Sequence, residues 1–243
     1  MNINAQGRHY RELNEQIRAA ADSGDKDIVV ENVRGQRYIA AGLDSGLRIT
    51  INGVPGNDLG AFMNGAEIIV HGNAQDGVAN TMNAGRIVVH GNAGDVLGHS
   101  MRGGKIFVRG SVGYRAGIHM KAYQEHFPIV VIGGTARDYL GEYMAGGILA
   151  VLNMGAGPES PVGEYVCTGM HGGAIYLRGR LEPYQAGAEV MISKLEESDW
   201  SSLSAALAEF CQCFGIEISQ FSSEQFVKLT PRTARPYGDL YAY

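Results

Sequence analysis

The stretch GNAQDGVANTMNAGRIVVH at 72–90 runs straight into GNAGDVLGHSMRGGKIFVR at 91–109, and the two align residue for residue without a gap. Each opens on Gly-Asn-Ala, carries a methionine ten residues after its first glycine (Met82, Met101) and closes on an apolar run, Ile87-Val88-Val89 or Ile106-Phe107-Val108. The register extends in both directions. Gly53, Gly72, Gly91 and Gly110 stand 19 residues apart; a small residue follows seven places into each unit (Gly60, Ala79, Gly98, Gly117) and a methionine ten places in (Met63, Met82, Met101, Met120). After an insertion at 124–128, Val130-Val131-Ile132, Gly134, Gly141 and Met144 resume the pattern. After a second, Gly-, Pro- and Ser-rich insertion at 154–161, Met170, Gly172-Gly173 and Ile175-Tyr176-Leu177 fall into line, with Cys167 in the place of the small glycine. Upstream, Gly46 and Arg48-Ile49-Thr50-Ile51 fit a degenerate first unit, for about seven in all.

A period near twenty points to a solenoid of short coils. The closing runs use Ile and Val rather than a leucine ladder, and 19 residues are too few for a strand, a helix and two connections. The reading is therefore an all-β chain: a single-stranded right-handed parallel β-helix of about seven coils of about 19 residues, with short helical flanks. Equivalent residues then stack about 4.8 Å apart. Ile68, Ile87, Ile106 and Ile175 form one inward ladder, and Val70, Val89, Val108 and Leu177 the next. The residues between them, Ile69, Val88, Phe107 and Tyr176, face outward. So continuous an apolar row is expected to meet another element or a partner, and these four residues are the candidate partner interface.

Three regions follow. Residues 1–33 form an N-terminal cap, with Tyr10, Leu13, Ile17 and Ala20 at helical spacing, Gly24 as a stop and a strand at Asp27-Ile28-Val29-Val30-Glu31. Residues 34–180 form the β-helix. Residues 181–243 form a C-terminal cap and tail. There, 201–214 puts Leu203, Leu207, Phe210 and Phe214 on one helical face before Gly215, 216–221 reads as a strand, and an irregular tail starts at Thr230-Pro231.

Composition narrows function. The chain of 243 residues carries 20 Lys and Arg against 25 Asp and Glu, a net charge of -5, with the two signs intermixed. That leaves no basic stripe for nucleic acid and no basic amphipathic helix for a membrane. No run of eighteen apolar residues and no signal-peptide layout is present, so the cytoplasm is expected. Cys167, Cys211 and Cys213 are an odd set without disulfide, metal or cluster spacing, and are read as apolar packing.

Candidate chemistry is sparse. His71 and His90 share a place in adjacent coils and could in principle share a metal, but Arg109 and Arg178 continue the row, so a surface ladder is the preferred reading. The segment from Gly117 through His119 and Lys121 to Tyr123 lies beside Glu125 and His126 in the first insertion, and is read as loop packing or a partner contact. His99 and His171 lie near the methionine corner without an acid, base or nucleophile at a matching offset. Gly103-Gly104 and Gly146-Gly147 open no helix and precede no Lys-Ser/Thr pair, which excludes a P-loop.

The strings Gly91-Asn92-Ala93-Gly94-Asp95-Val96-Leu97-Gly98, Met101-Arg102-Gly103-Gly104-Lys105, Gly141-Glu142-Tyr143-Met144-Ala145-Gly146-Gly147 and Thr168-Gly169-Met170-His171-Gly172-Gly173 resemble the GXGXG family. So do Gly35-Gln36-Arg37-Tyr38-Ile39 and Arg235-Pro236-Tyr237-Gly238-Asp239-Leu240-Tyr241. The likeness is to the C-terminal β-helix domain of glutamate synthase, in the form of a separate chain, the third-domain subunit of the archaeal type. The resemblance implies a scaffold without catalytic, cofactor-binding or metal-binding residues of its own. FMN and iron–sulfur clusters are then expected on partners: an FMN-binding synthase subunit and a glutamine amidotransferase subunit, which move ammonia from glutamine to 2-oxoglutarate. A homo-oligomer is compatible with that role. The β-helix subunit of formylmethanofuran dehydrogenase and subunits of methylglutamate-synthase-like enzymes share the fold and remain alternatives. Cys167 and the insertion at 154–161 depart from the ideal repeat and could mark a subgroup-specific contact.

Overall fold

A computed structural model describes residues 1–155 and 160–233. One sheet winds through it in the order β1-β2-β3-β4-β5-β6-β7-β8-β9-β11-β10. The strands are β1 (Asn2–Asn4), β2 (Asp27–Arg34), β3 (Arg48–Val54), β4 (Asn64–His71), β5 (Ala84–Val89), β6 (Lys105–Val108), β7 (Ile129–Ile132), β8 (Ala145–Val151), β9 (Gly172–Arg178), β10 (Val190–Ser193) and β11 (Phe226–Pro231). Pairing is parallel from β1 to β9, which is the signature of a solenoid that returns to the same face once per coil. Between β3 and β9 lie six turns, against the seven units counted in the sequence.

The inward ladders are those expected. Ile49, Ile68, Ile87, Ile106, Val130, Leu149 and Ile175 stand in register, as do Ile51, Val70, Val89, Val108, Ile132, Val151 and Leu177, and all are fully buried. Met63, Met82, Met101, Met120, Met144 and Met170 are fully buried in the same core.

Away from the strand, a coil is held by alternation of backbone hand. Val96, Gly98 and Ser100 have φ of 52°, 69° and 53°, and their counterparts one coil on, Arg115, Gly117 and His119, have 58°, 75° and 55°. The N–H groups of Val96 and Ser100 donate to Tyr114 and Ile118 in the next coil, whereas that of Gly98 donates to Val78 in the preceding one. Turns close between them, His99 to Val96 and Met101 to Gly98. Gly98 and its equivalents face the core, which is why the place demands smallness: a Cβ on Gly141 would come within 2.4 Å of Ile175 Cδ1. Cys167 takes the same left-handed conformation at φ 62° and is fully buried.

The Gly-Asn-Ala-Gly-Asp string has its own reason. Asn73 Oδ1 accepts from the N–H of Asn92, and Asn92 Oδ1 from that of Ser111, both at 2.8 Å. In parallel, Asp76 accepts from Asp95 at 2.9 Å and Asp95 from Tyr114 at 2.8 Å. Each acceptor occupies the space a side chain would need on the glycine of the next coil: a Cβ on Gly113 would stand 1.9 Å from Asp95 Oδ1.

Both ends are closed. At one, α1 (Tyr10–Asp22) buries Leu13, Ile17 and Ala20 into the core beside Ile3 and Ile28. β2, placed by the sequence in a separate cap, pairs in parallel with β3 and so forms part of the solenoid sheet. At the other end, β11 pairs antiparallel with β9 and β10 with β11. This corrects two readings of the C-terminal region. Residues 216–221 contain a 3-10 turn, Ile218–Gln220, rather than a strand, because β11 takes the free edge of β9; and Thr230 and Pro231 belong to that strand rather than to a tail. The Arg235–Tyr241 string and residues 156–159 of the second insertion lie outside the described residues.

Candidate functional site

The outward row is where the sequence placed a partner, and the structure fills most of it from within the chain. Helix α2 (Glu197–Phe214) begins four residues before the apolar pattern, with a reciprocal cap between Glu196 and Asp199. Its 18 residues span about 27 Å, or between five and six strands at about 4.8 Å each. It lies over β5 to β9 and packs Leu203, Leu207 and Phe210 on Val88, Phe107, Val131, Ala150 and Tyr176. Phe107 and Phe210 meet edge to face at 6.2 Å. At one end, Asp199 accepts from Tyr176 Oη at 3.0 Å and from Lys228 Nζ at 2.9 Å; nearer the other, Lys105 Nζ lies 2.5 Å from Glu209. Val88, Phe107 and Tyr176 are 3%, 0% and 3% exposed, so they cannot form a partner interface while α2 is docked. Ile69, on the neighbouring strand β4, stays half-buried beside Arg48, Glu67, Arg86 and Cys213.

The His71–His90 pair forms as read, with ring centroids 4.9 Å apart, but His90 also meets Phe214 edge-on at 5.2 Å. Burial, together with the neighbouring His71 and Arg109, lowers the pKa of His90, which suits a neutral ring packed against the end of α2. Among the described residues no group of three or more His, Cys, Asp or Glu is placed to hold a metal ion. Burial raises the thiol pKa of Cys167, reinforced by Glu189, and Cys211 and Cys213 are raised by burial as well, so none is an activated thiolate.

The segment from Gly117 to Tyr123 divides. Tyr123 pairs through its backbone with His126 in the insertion loop. His119 turns along the stacking direction instead, lying flat on Tyr143 at 5.2 Å and edge-on to His99 at 6.0 Å. It lines a cleft of about 420 Å³ with Ser100, Arg102, Lys121, Tyr143, Ala145 and His171. Reading the 117–123 segment linearly missed Arg102, Tyr143 and His171 as its neighbours. The signal that finds them is the repeat: Arg102, Lys121, Ala145 and His171 share one offset, and Ser100, His119, Tyr143 and Gly169 another, once the insertions are removed.

Residues 15–234, from within α1 to beyond β11, match the GXGXG motif family. The chain belongs to that family. It is also 48% identical over 248 aligned residues to the uncharacterized protein MJ1350 of Methanocaldococcus jannaschii, an alignment covering 98% of this chain and 95% of the relative. Within the matched span, the polar ladders leave no room for a side chain at Gly91, Gly94, Gly110 or Gly113. No helix among the described residues is long and apolar enough to cross a membrane.

Proposed function

We propose that this GXGXG chain is a non-catalytic β-helix subunit of a glutamate-synthase-like oxidoreductase complex. In that complex an FMN-binding synthase chain and a glutamine amidotransferase chain make glutamate from glutamine and 2-oxoglutarate, and they carry the FMN and iron–sulfur clusters. The observation that carries this reading is family membership across 15–234, realised as one continuous parallel solenoid whose side chains are committed to packing ladders. A rigid stack of coils presents fixed, evenly spaced outward rows, which suits a part that holds other chains in register.

The test is co-expression of the tagged chain with an FMN-binding synthase chain and a glutamine amidotransferase chain from the same organism. Stoichiometric copurification, and glutamine-dependent glutamate formation that falls when this chain is omitted, support the proposal. Copurification with molybdopterin- and ferredoxin-type chains instead overturns it in favour of a formylmethanofuran-dehydrogenase-like complex.

A further inference from the structure

Arg102, Lys121, Ala145 and His171 occupy one place in four successive coils, each donating its N–H to the methionine corner of the coil before it: Met82, Met101, Met120 and Met144. Two residues earlier in each coil stand Ser100, His119, Tyr143 and Gly169, all left-handed, at φ 53°, 55°, 52° and 66°. The two rows flank the 420 Å³ cleft. Its shape comes from its small members. Ala145 is short where its neighbours in the row are long, and Gly169 lets the Tyr143 ring lean over it, since a Cβ there would stand 2.4 Å from Tyr143 Cδ1. On its other side the same ring lies flat on His119, with 10° between the planes.

What sets the cleft apart is that its cations stand in a lining without acids. Arg48, Arg86, Lys105, Arg115 and Lys228 each face a carboxylate, and an unpaired Lys or Arg is otherwise common among the described residues. Arg102 and Lys121 have no ion pair among the described residues, and no carboxylate lines the cleft. The acid nearest in sequence, Glu142, is turned to Arg115 at 2.5 Å. By contrast, the cavity of about 480 Å³ beside α1 balances Arg18 and Lys26 with Asp22, Asp25 and Asp44. A guanidinium, an ammonium, two imidazoles, a phenol and a hydroxyl converge on the cleft, a donor set suited to several anionic oxygens at once. A volume of this size admits a small organic molecule rather than a lone ion.

We infer that this cleft binds a small polyanion, a phosphate-bearing or polycarboxylate molecule. Arg102 and Lys121 supply fixed charge, His119 and His171 further donors, and Tyr143 the wall. This does not rest on the identity of the parent complex, because the site lies wholly on this chain. The test is isothermal titration of the purified full-length chain with inorganic pyrophosphate in one arm and citrate in the other, at ionic strength matched with chloride. Saturable binding at one site per chain is expected. The tighter probe identifies the source of the anionic oxygens.

Arg102→Gln and Lys121→Gln should each weaken binding by about tenfold or more, as expected for loss of a charge-assisted contact. Ala145→Leu, which fills the floor without changing charge, should abolish it. Arg109→Gln, on the strand face, should leave it unchanged. If Ala145→Leu fails to fold, the three charge variants decide alone. The inference is overturned if neither probe binds saturably up to about 10 mM. It is equally overturned if Arg109→Gln weakens binding as much as Arg102→Gln, which would show diffuse attraction rather than a site.

Discussion

Replacing Phe210 by Ala tests whether α2 is an integral layer of the fold. Phe210 is fully buried, its ring edge-on to Phe107 at 6.2 Å and 4.8 Å from that of Phe214, and its Cζ lies 3.1 Å from where a Cβ on Gly133 would stand. Truncating such a ring removes its transfer free energy and leaves a cavity, for about 3–5 kcal/mol. The Phe107 contact contributes about 0.5–1.5 kcal/mol of this beyond area, measurable as the coupling in a cycle with Phe107→Leu. Since whole domains are stable by only about 5–15 kcal/mol, the loss is large enough to detach the helix. The chain's single tryptophan, Trp200, lies in α2 with its ring 6.3 Å from that of Phe226, so its fluorescence reports helix docking while far-UV circular dichroism reports the solenoid. In urea, the fluorescence midpoint of Phe210→Ala should move to clearly lower denaturant, ahead of or together with the dichroism. A shift worth less than about 0.5 kcal/mol would falsify the docked arrangement, because surface substitutions alone produce changes of that size.

Further expectations follow from other parts of the molecule. Ile106→Ala, in the middle of a fully buried ladder, should cost about 2–5 kcal/mol in equilibrium unfolding, and an unchanged curve would contradict the register. Asp95→Ala removes the acceptor of the Tyr114 N–H, for about 1–3 kcal/mol, and Gly113→Ala strikes the same Asp95 Oδ1. The double variant should therefore lose less than the sum of the singles. Burial works to raise the Asp199 carboxyl, but hydrogen bonds from Lys228, the Glu196 N–H and Tyr176 prevail and hold it below its ordinary 3.8. Its stabilisation is thus present above about pH 4 and lost as pH falls through the lower folded pKa, a step in acid unfolding that Asp199→Asn should abolish. The isolated chain is expected to be colourless and without glutaminase or glutamate synthase turnover; a yellow preparation or glutamine consumption by the pure chain would refute the scaffold reading.

The sequence by itself determined the solenoid, because stacking turns a one-dimensional repeat into ladders and every coil must satisfy the same neighbours. The period of 19, the Ile and Val ladders and the recurring small residue at Gly98 and Gly141 were legible without coordinates, whereas the packing of that small residue against the core was not. So was the apolar outward row, but not what covers it. A helix that docks against strands from several earlier coils leaves no periodic mark on them, and only the packing shows that it covers Val88 fully and Ile69 in part. The cleft escaped for the opposite reason. Arg102, Lys121 and His171 look like isolated surface residues along the chain and converge only because the coils stack, while the insertions at 124–128 and 154–161 break the repeat between Lys121 and His171. Alternating left-handed backbone was hidden as well, since Val96, Arg115 and Tyr139 adopt it without being glycine. Stacking hydrogen bonds to the coils on either side impose that conformation against a local cost of about 1–2 kcal/mol per residue, which no local reading of these residues reveals.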